Sequence, residues 1–293
     1  MNPQTPAEKF PLKQKAEEVL AIVEKGGFTN AAGEWVELRS LVDYAVAGTR
    51  LYRPDELERL MASMAGVEAG RDPLIEVTAE TTQVAASRLV KEGCDDLVLL
   101  NFASARSPGG GFLNGAKAQE EDLARCSALY HCLRPQSEYY EKNRSQESML
   151  YTDHIIYSPR VPWFRARSRD EPGEVFIASV ITAPAPNATQ GLLRGLAREE
   201  IEAALVRRAA LVLAIARDQG HRQLLLGAWG CGVFGNDPHV VARAFKQWIE
   251  SPVFAGVFDR IVFAVYDPTK EQGNYRAFQE VFPAAADGAE TSP

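Results

Sequence analysis

Through most of the chain, stretches typical of β-strands alternate with stretches typical of helices. The first pair is LIEVTAE at 74–80 and TTQVAASRLVKEG at 81–93, and the last is RIVFAVYD at 260–267 and TKEQGNYRAFQEVF at 269–282. Between them, DLVLLNFAS at 96–104 is an apolar run, as expected for a strand buried on both faces. Such alternation is typical of α/β proteins, so we predict an α/β sandwich with a largely parallel or mixed sheet.

The remaining predicted elements continue this alternation. Strands are predicted at 174–181 and 223–229, and helices at 118–133, 196–220 and 236–251. The insert from about 134 to 173 is polar and shows the period of neither a strand nor a helix. We assign no element to it.

The first part of the chain has a less regular pattern. Helices are predicted at 12–25 and 54–64, with short strand-like pieces such as 35–38 between them. Gly26 is expected to end the first helix. No clean linker follows, so these residues should pack on the rest of the chain. The predicted organisation is an N-terminal helical extension at 1–70, a core at 71–283 and a disordered tail at 284–293.

Charge and hydropathy exclude several classes of function. The formal net charge is −7 over 293 residues, which argues against a broad electrostatic attraction to nucleic acid. No apolar run reaches the roughly 18 residues that a membrane span needs. The N-terminal sequence MNPQTPAEKFPLKQ lacks the apolar core of a signal peptide. We expect a cytoplasmic monomer that binds neither membranes nor, directly, nucleic acid.

The cysteines and histidines do not have the spacing of metal ligands. We therefore expect free thiols, no bound metal and no cofactor. The residues concerned are Cys94, Cys126, Cys132 and Cys231, and His131, His154, His221 and His239.

Two connections rich in glycine follow predicted strands, one after Ser104 and one after Trp229. Sheets of this class bind ligands where strands end and helices begin. In the first connection, Pro108 is followed by Gly109, Gly110 and Gly111. Without side chains, this backbone can approach a ligand closely and adopt positive φ.

Gln119, Glu120 and Glu121 follow seven residues later, at the start of a predicted helix. Acidic residues there can simply complement the helix dipole. Beside a glycine loop, however, they can also cleave a glycoside, which needs one carboxylic acid and one carboxylate. Adjacent helix positions point about 100° apart, so the two carboxylates should touch neighbouring groups of one sugar. A nearby carboxylate and ligand phosphates would favour the protonated acid, against the helix N-terminus.

The second connection, from Gly227 to Asn236, carries four glycines and precedes a helix. Exposed backbone N–H groups and the positive end of that helix would suit a diphosphate. An acidic protein needs local devices of this kind to hold a phosphorylated ligand. The candidate binding residues are Gly230, Cys231, Gly232, Val233, Phe234 and Gly235.

The segment LNFASARSPGGGFLNGAKAQEEDLARCSALY closely resembles the signature of bacterial-type poly(ADP-ribose) glycohydrolases. That signature is GGG, six to eight residues, then QEE, and here seven residues, 112–118, separate the two. The resemblance covers most of the chain, including the N-terminal helices. One departure is Ser107, where asparagine is expected before the proline.

The resemblance implies a macrodomain-like fold and a role for each residue of the signature. Glu121 would be the catalytic acid, while Glu120 and Gln119 would hold the terminal ribose. Gly109, Gly110 and Gly111 would line the ribose and the diphosphate. The second loop would wrap the diphosphate and place an aromatic residue, Phe234, beside the ribose.

Several other residues allow two interpretations. Asn101 can contact a ligand or tie the loop to the backbone, and we favour the ligand. Tyr266 can stack on adenine or be a half-buried structural residue, and Phe234 can instead belong to the core. Cys231 is more simply a buried thiol than a nucleophile. A basic cluster is more simply a solvated loop than a contact for polymer phosphates, and its members are Arg160, Arg165, Arg167 and Arg169.

The resemblance implies hydrolysis of ribose–ribose bonds in poly(ADP-ribose), from the chain end, with release of ADP-ribose. The protein would bind this polymer or ADP-ribosylated proteins. Its role would be the reversal of ADP-ribosylation in the DNA damage response. A non-catalytic ADP-ribose reader and a hydrolase of single ADP-ribosyl linkages on protein or nucleic acid are the alternatives. The paired carboxylates favour an enzyme over a reader.

Overall fold

The computed structural model describes residues 6–64 and 71–283, and we restrict the account to these residues. The predicted tail at 284–293 lies outside them. The helices are α1 Pro6–Lys25, α2 Arg39–Gly48, α3 Pro54–Ser63, α4 Thr82–Lys91, α5 Gln119–Cys126, α6 Leu129–Leu133, α7 Ser137–Arg144, α8 Ala188–Leu193, α9 Arg198–Asp218, α10 Pro238–Ile249 and α11 Gly273–Val281. The strands are β1 Gly27–Thr29, β2 Trp35–Glu37, β3 Arg50–Tyr52, β4 Leu74–Thr78, β5 Val98–Phe102, β6 Ile155–Trp163, β7 Phe176–Ala183, β8 Gln223–Leu226 and β9 Arg260–Ala264.

A mixed sheet forms the centre of the protein, with the strand order β3-β6-β7-β5-β8-β9-β4 among the described residues. The five strands from β7 to β4 run parallel to one another. β6 and β3 run antiparallel at the other end. The predicted α/β class with a mixed sheet is confirmed.

Helices cover both faces of this sheet because alternate strand residues point to opposite sides. In β5, Leu99 belongs to a buried cluster that includes residues of α1, α2, α4, α5 and α7, whereas Val98 and Leu100 belong to a second cluster that includes residues of α9 and α10. All three side chains are buried. A continuous apolar run is therefore what a strand between two helical layers requires.

The N-terminal residues contribute to both the helical layer and the sheet. In α1, Ala16 and Val19 are buried in the same cluster as Phe112 and Leu123, which belong to the first glycine loop and α5. β3 joins the edge of the main sheet through β6. No helix among the described residues is long and apolar enough to cross a membrane.

The prediction of one continuous helix at 118–133 is wrong. The chain forms two helices there, α5 and α6, which are separated around Ser127. Ser127 forms an isolated antiparallel bridge with Trp163, and the Ala128 N–H donates to the Pro162 carbonyl at 3.1 Å. These partners lie about 35 residues away in the chain, so local helical periodicity carries no signal of the break.

The insert at 134–173, to which we assigned no element, contains α7 and the long strand β6. Pro159 and Pro162 conceal the strand, because proline normally excludes an internal strand position. β3 pairs only with 155–157, so neither proline needs to donate a hydrogen bond to it. α2 was also missed, since its short helical face buries only Val42 and Ala45.

The basic cluster is not one solvated loop. Arg160 is exposed at an irregularity of β6, with φ of 46°, and Arg167 and Arg169 are exposed beyond the strand. Arg165 is instead buried, and its Nη2 donates to Glu18 of α1 at 2.8 Å. Burial of this guanidinium fixes the N-terminal helix to the core, so the interpretation of Arg165 as a solvated residue is wrong.

Candidate active site

The two glycine-rich connections lie at the same edge of the sheet. β5 pairs in parallel with both β7 and β8, so the residues after Phe102, Ala183 and Leu226 all emerge there. The connection after β5 leads into α5, and the connection after β8 leads into α10. Residues from these two loops therefore lie at one edge of the sheet, where parallel sheets form their ligand-binding clefts.

Glu120 lies at the base of this cleft and is 2% exposed. Its Oε2 accepts a hydrogen bond from the Ser104 N–H at 2.6 Å, and its Oε1 accepts one from the Asn101 amide at 3.2 Å. Both carboxylate oxygens are thus held by residues at the end of β5. The side chain has a fixed position before any ligand arrives.

Burial raises the pKa of Glu120 from about 4.5 to about 8. The Ser104 N–H lowers this pKa, the Glu121 carboxylate raises it, and Asn101 and the Gly109 backbone lower it to smaller extents. Desolvation prevails because the side chain has almost no contact with water. One of the two carboxyl groups, Glu120, therefore holds a proton near neutral pH.

Glu121 is 9% exposed, and its two oxygens differ. Oε1 accepts a hydrogen bond from the Gly111 N–H at 2.9 Å. Oε2 has no hydrogen-bond partner within the two ranges that the structure describes. A ligand can therefore contact Glu121 through Oε2, whereas each oxygen of Glu120 already accepts one hydrogen bond from the protein.

Gly110 shows why glycine is needed at this point of the loop. It has φ of +58°, and a Cβ atom there would overlap Glu121 Oε1 and lie 3.2 Å from Glu120 Oε2. Both carboxylates thus border the same space above Gly110.

The backbone of the first loop supports the carboxylates more than it faces the ligand. The Gly110 N–H donates to the Ser107 carbonyl at 3.0 Å, and the Gly111 N–H donates to Glu121. A hydrogen bond from the Gly109 backbone lowers the pKa of Glu120. That these glycines line the ribose and the diphosphate stays a prediction, and in the structure their N–H groups form hydrogen bonds within the protein.

Gln119 and Asn101 also act within the protein. The Gln119 amide accepts from the Phe102 N–H at 2.8 Å and donates to Thr82 at 3.1 Å and to the Leu100 carbonyl at 2.8 Å. Asn101 is fully buried beneath Glu120 and also donates to Thr182 at 3.2 Å. Both side chains thus support Glu120 and β5, and their direct contact with a ligand stays a prediction.

The second loop presents free backbone donors. The N–H groups of Gly232, Val233 and Phe234 make no hydrogen bond within residues 6–64 and 71–283. Val233 is 67% exposed, as is expected at the tip of a loop. Buried Asn236 donates to the carbonyls of Pro186 at 2.8 Å and Gly230 at 3.1 Å, which fixes the shape of the loop. Such unpaired N–H groups can bind an anion.

The helix after this loop does not offer a free positive end. The Asp237 side chain caps α10 by accepting from the His239 N–H at 2.8 Å and the Val240 N–H at 3.3 Å. This carboxylate occupies the place that we expected an anionic ligand to use. The loop N–H groups are therefore the donors that remain available to an anion.

The other predicted site residues differ in their accessibility. Gly230 has φ of 74° and Gly235 has φ of 68°. Cys231 is half-buried, and burial raises the pKa of its thiol, which disfavours a nucleophilic role. Phe234 is half-buried and packs against the edge of the core, and Tyr266, two residues beyond the end of β9, is 57% exposed. No group of three or more His, Cys, Asp or Glu side chains in the described ranges is arranged to hold a metal.

Comparison with known proteins identifies the family. A sequence model of the microbial-type PARG catalytic domain matches residues 16–166. The crystal structure of poly(ADP-ribose) glycohydrolase (PARG) from Thermomonospora curvata has 46% identity, covering 93% of this chain and 100% of its own, with a TM-score of 0.89. The chain belongs to the microbial-type PARG family.

Two further PARG structures are described with ligands. The T. curvata protein bound to the inhibitor ADP-HPD has 46% identity, covers 92% of this chain and 99% of its own, and gives a TM-score of 0.85. PARG from Deinococcus radiodurans in complex with ADP-ribose has 42% identity, covers 86% of this chain and 100% of its own, and gives a TM-score of 0.77. A comparison with curated proteins gives no match. These structures confirm the macrodomain-like fold.

The contributions of two residues at this site were not predicted from the sequence. Ser104 acts through its backbone N–H, which any residue could supply, so its identity carries no signal. Tyr151 lies in the insert to which no element was assigned, and its ring centroid is 6.1 Å from that of Phe234. Neither residue lies in a recognisable motif.

Replacing Glu120 by glutamine should raise the melting temperature, and more at about pH 9 than at about pH 5. The folded protein keeps a proton on Glu120 up to about pH 8, whereas the unfolded chain releases it near pH 4.5. The wild-type free energy of unfolding therefore falls as pH rises through this window. The neutral variant lacks this loss, which is on the order of a few kcal/mol.

Thermal unfolding of both proteins across this pH range tests the prediction. Asn101 can reverse its amide in the variant, and so keep its hydrogen bonds to the introduced glutamine and to Thr182. Parallel curves of melting temperature against pH would contradict the raised pKa of Glu120.

Proposed function

We propose that this chain hydrolyses the ribose–ribose glycosidic bonds of poly(ADP-ribose) and releases ADP-ribose. The observation that supports this most strongly is the convergence of two carboxyl groups above Gly110, one engaged and one with a free oxygen. A binding module needs the N–H-rich second loop but not this pair. Membership of the PARG family and the ADP-ribose complex of the D. radiodurans relative support the same substrate.

In the proposed reaction, Glu121 is the general acid and then the general base. In the reactive state Glu121 carries the proton of the carboxyl pair, and its free Oε2 donates this proton to the ribose oxygen that leaves as the glycosidic C–O bond breaks. Water then attacks the anomeric carbon and gives its proton back to Glu121. Glu120 binds the ribose hydroxyls from the base of the cleft. Asn101, Gln119 and the first-loop glycines keep both carboxylates in place.

The second loop would hold the rest of the terminal ADP-ribose unit. The free N–H groups of Gly232, Val233 and Phe234 would bind the diphosphate, together with Gly230, Cys231 and Gly235. The Phe234 ring would pack beside the ribose, and exposed Tyr266 would stack on adenine at the sheet edge. These contacts require no cofactor and no metal.

We also propose that cleavage starts from the end of the polymer. Helix α1 shares a buried cluster with Phe112 of the first glycine loop and with Leu123 of α5, which supports an N-terminal extension that covers the far side of the ribose. A covered far side would leave no room for a continuing chain. Incubated with long polymer, the protein should release only monomeric ADP-ribose from the first minutes. Early appearance of oligomers, resolved by gel electrophoresis, would instead indicate internal cleavage.

Two alternative functions predict different outcomes in one substrate comparison. The protein is incubated in parallel with poly(ADP-ribose) and with proteins carrying single ADP-ribose groups, and free ADP-ribose is quantified. A PARG should act on the polymer and leave the last unit on protein. Release from singly modified substrates alone would indicate a mono-ADP-ribosyl hydrolase, and release from neither would indicate a reader.

The protein itself is expected to act in the cytoplasm as a monomer.

A further inference from the structure

The chain between α7 and β6 connects the two loops of the cleft. Arg144, at the end of α7, donates through Nη1 to the Arg106 carbonyl of the first loop at 2.8 Å. Tyr151 packs its ring on Phe234 of the second loop. Because β6 is antiparallel, its start lies at the sheet edge where β5 and β7 end. We call residues 144–151 the bridging segment.

Within this segment, Tyr151 has a backbone conformation that is unfavourable for its residue type. Its φ is 59°, in the left-handed region that side chains with a Cβ atom rarely adopt. Such strain persists only where the surrounding structure imposes it, and it clusters at functional sites. The ring is half-buried, and its hydroxyl makes no hydrogen bond to the described residues.

Buried Arg208 imposes this conformation. The guanidinium of this α9 residue is fully buried and donates to the carbonyls of Leu150 at 3.0 Å and Tyr151 at 3.4 Å. It also donates to the Pro184 carbonyl at 2.7 Å, after β7, and to Asp153 at 2.9 Å. One side chain therefore fixes the bridging segment to the strand end that borders the cleft.

We propose that Tyr151 is a positioning residue that holds Phe234 against the ribose beyond the diphosphate, and so makes the cleft prefer ADP-ribose over ADP. This inference deepens the proposed function and rests on it for the place of the ribose. The second loop contacts the diphosphate through its backbone, which does not distinguish the two ligands. The aromatic pair is the part of the cleft that depends on the distal sugar.

The test compares the Kd values of ADP-ribose and ADP, measured by calorimetry, for wild type and Tyr151→Ala. The variant should bind ADP-ribose about threefold to tenfold more weakly, the scale of one aromatic contact, and ADP within about twofold of wild type. Tyr151→Phe should keep wild-type affinities, because it retains the ring. In a Phe234→Ala background, Tyr151→Ala should have no further effect.

Glycine variants separate the ring from the backbone strain. Tyr151→Gly removes both, so it should lose ADP-ribose preference like Tyr151→Ala while its melting temperature is unchanged or higher. Arg160→Gly is the matched control, because Arg160 has φ of 46° and is exposed on the part of β6 remote from the cleft. It should show the same backbone effect with unchanged affinities.

Equal weakening of ADP and ADP-ribose, or no change in either, would overturn the role of Tyr151. Additive effects of the Tyr151 and Phe234 substitutions would also overturn it. The measurement needs no hydrolysis. If the protein prefers ADP-ribose in a Tyr151-dependent way but does not cleave the polymer, the proposed function is contradicted and this inference stands. If it cleaves the polymer without that preference, this inference is contradicted and the proposed function stands.

Discussion

Glu121→Gln should lower the rate of poly(ADP-ribose) hydrolysis by roughly 100- to 10,000-fold, the usual contribution of a general acid and base. Glutamine has the same shape and its Oε1 can still accept from the Gly111 N–H, so the loop should keep its structure. It cannot donate and recover the proton through the free position. The Kd for ADP-ribose should stay within a few-fold of wild type, and Glu121→Ala should likewise bind without hydrolysing.

The control for this substitution is Glu199→Gln. Glu199 lies in the first turn of α9, as Glu121 lies in the first turn of α5, but it is exposed and remote in the chain from both glycine loops. If Glu121 merely complemented a helix dipole, the two variants would behave alike. Initial rates of ADP-ribose release compare them. Substantial hydrolysis by Glu121→Gln would remove Glu121 from the reaction.

Gly110→Ala should also abolish hydrolysis, and it should weaken ADP-ribose binding as well. The new Cβ atom would occupy the space shared by Glu121 Oε1 and Glu120 Oε2. Backbone on both sides is held by the loop, so the carboxylates must move. Alanine at a φ of +58° adds a destabilisation of about 1–2 kcal/mol.

Gly220→Ala measures that backbone cost by itself. Gly220 has φ of +76° after α9, and no atom of the described residues lies within 4 Å of a Cβ added there. Both variants should melt a few degrees lower, while only Gly110→Ala should lose activity. The melting temperatures and the initial rates of ADP-ribose release are compared with those of the wild type. An active Gly110→Ala protein would show that the carboxylates do not depend on the space above this residue.

The sequence predicted the elements that carry the site, because their signals are local. β5 is apolar except for Asn101 since helices cover both of its faces, and the glycines after it mark a backbone that approaches other groups. The QEE motif identified the two carboxyl groups. The pattern could not show that Glu120 is engaged on both oxygens while Glu121 has one free, because the partners come from β5 and the glycine loop.

The remaining parts of the site depend on contacts between distant segments. The second loop has the free N–H groups that we expected, whereas the positive end of α10, which was also expected to be free, is capped by Asp237. The bridging segment was missed because its conformation is imposed by Arg208, more than 50 residues further along the chain. The strand after it, β6, was concealed by its prolines.

The most direct test of the proposed function uses purified poly(ADP-ribose) that is free of protein. The polymer is incubated with the wild-type chain, and the nucleotide products are separated by chromatography and quantified. If the carboxyl pair and the second loop form the catalytic cleft of a PARG, most of the polymer should be recovered as monomeric ADP-ribose. Recovery of intact polymer, by a protein that still binds ADP-ribose, would contradict the account.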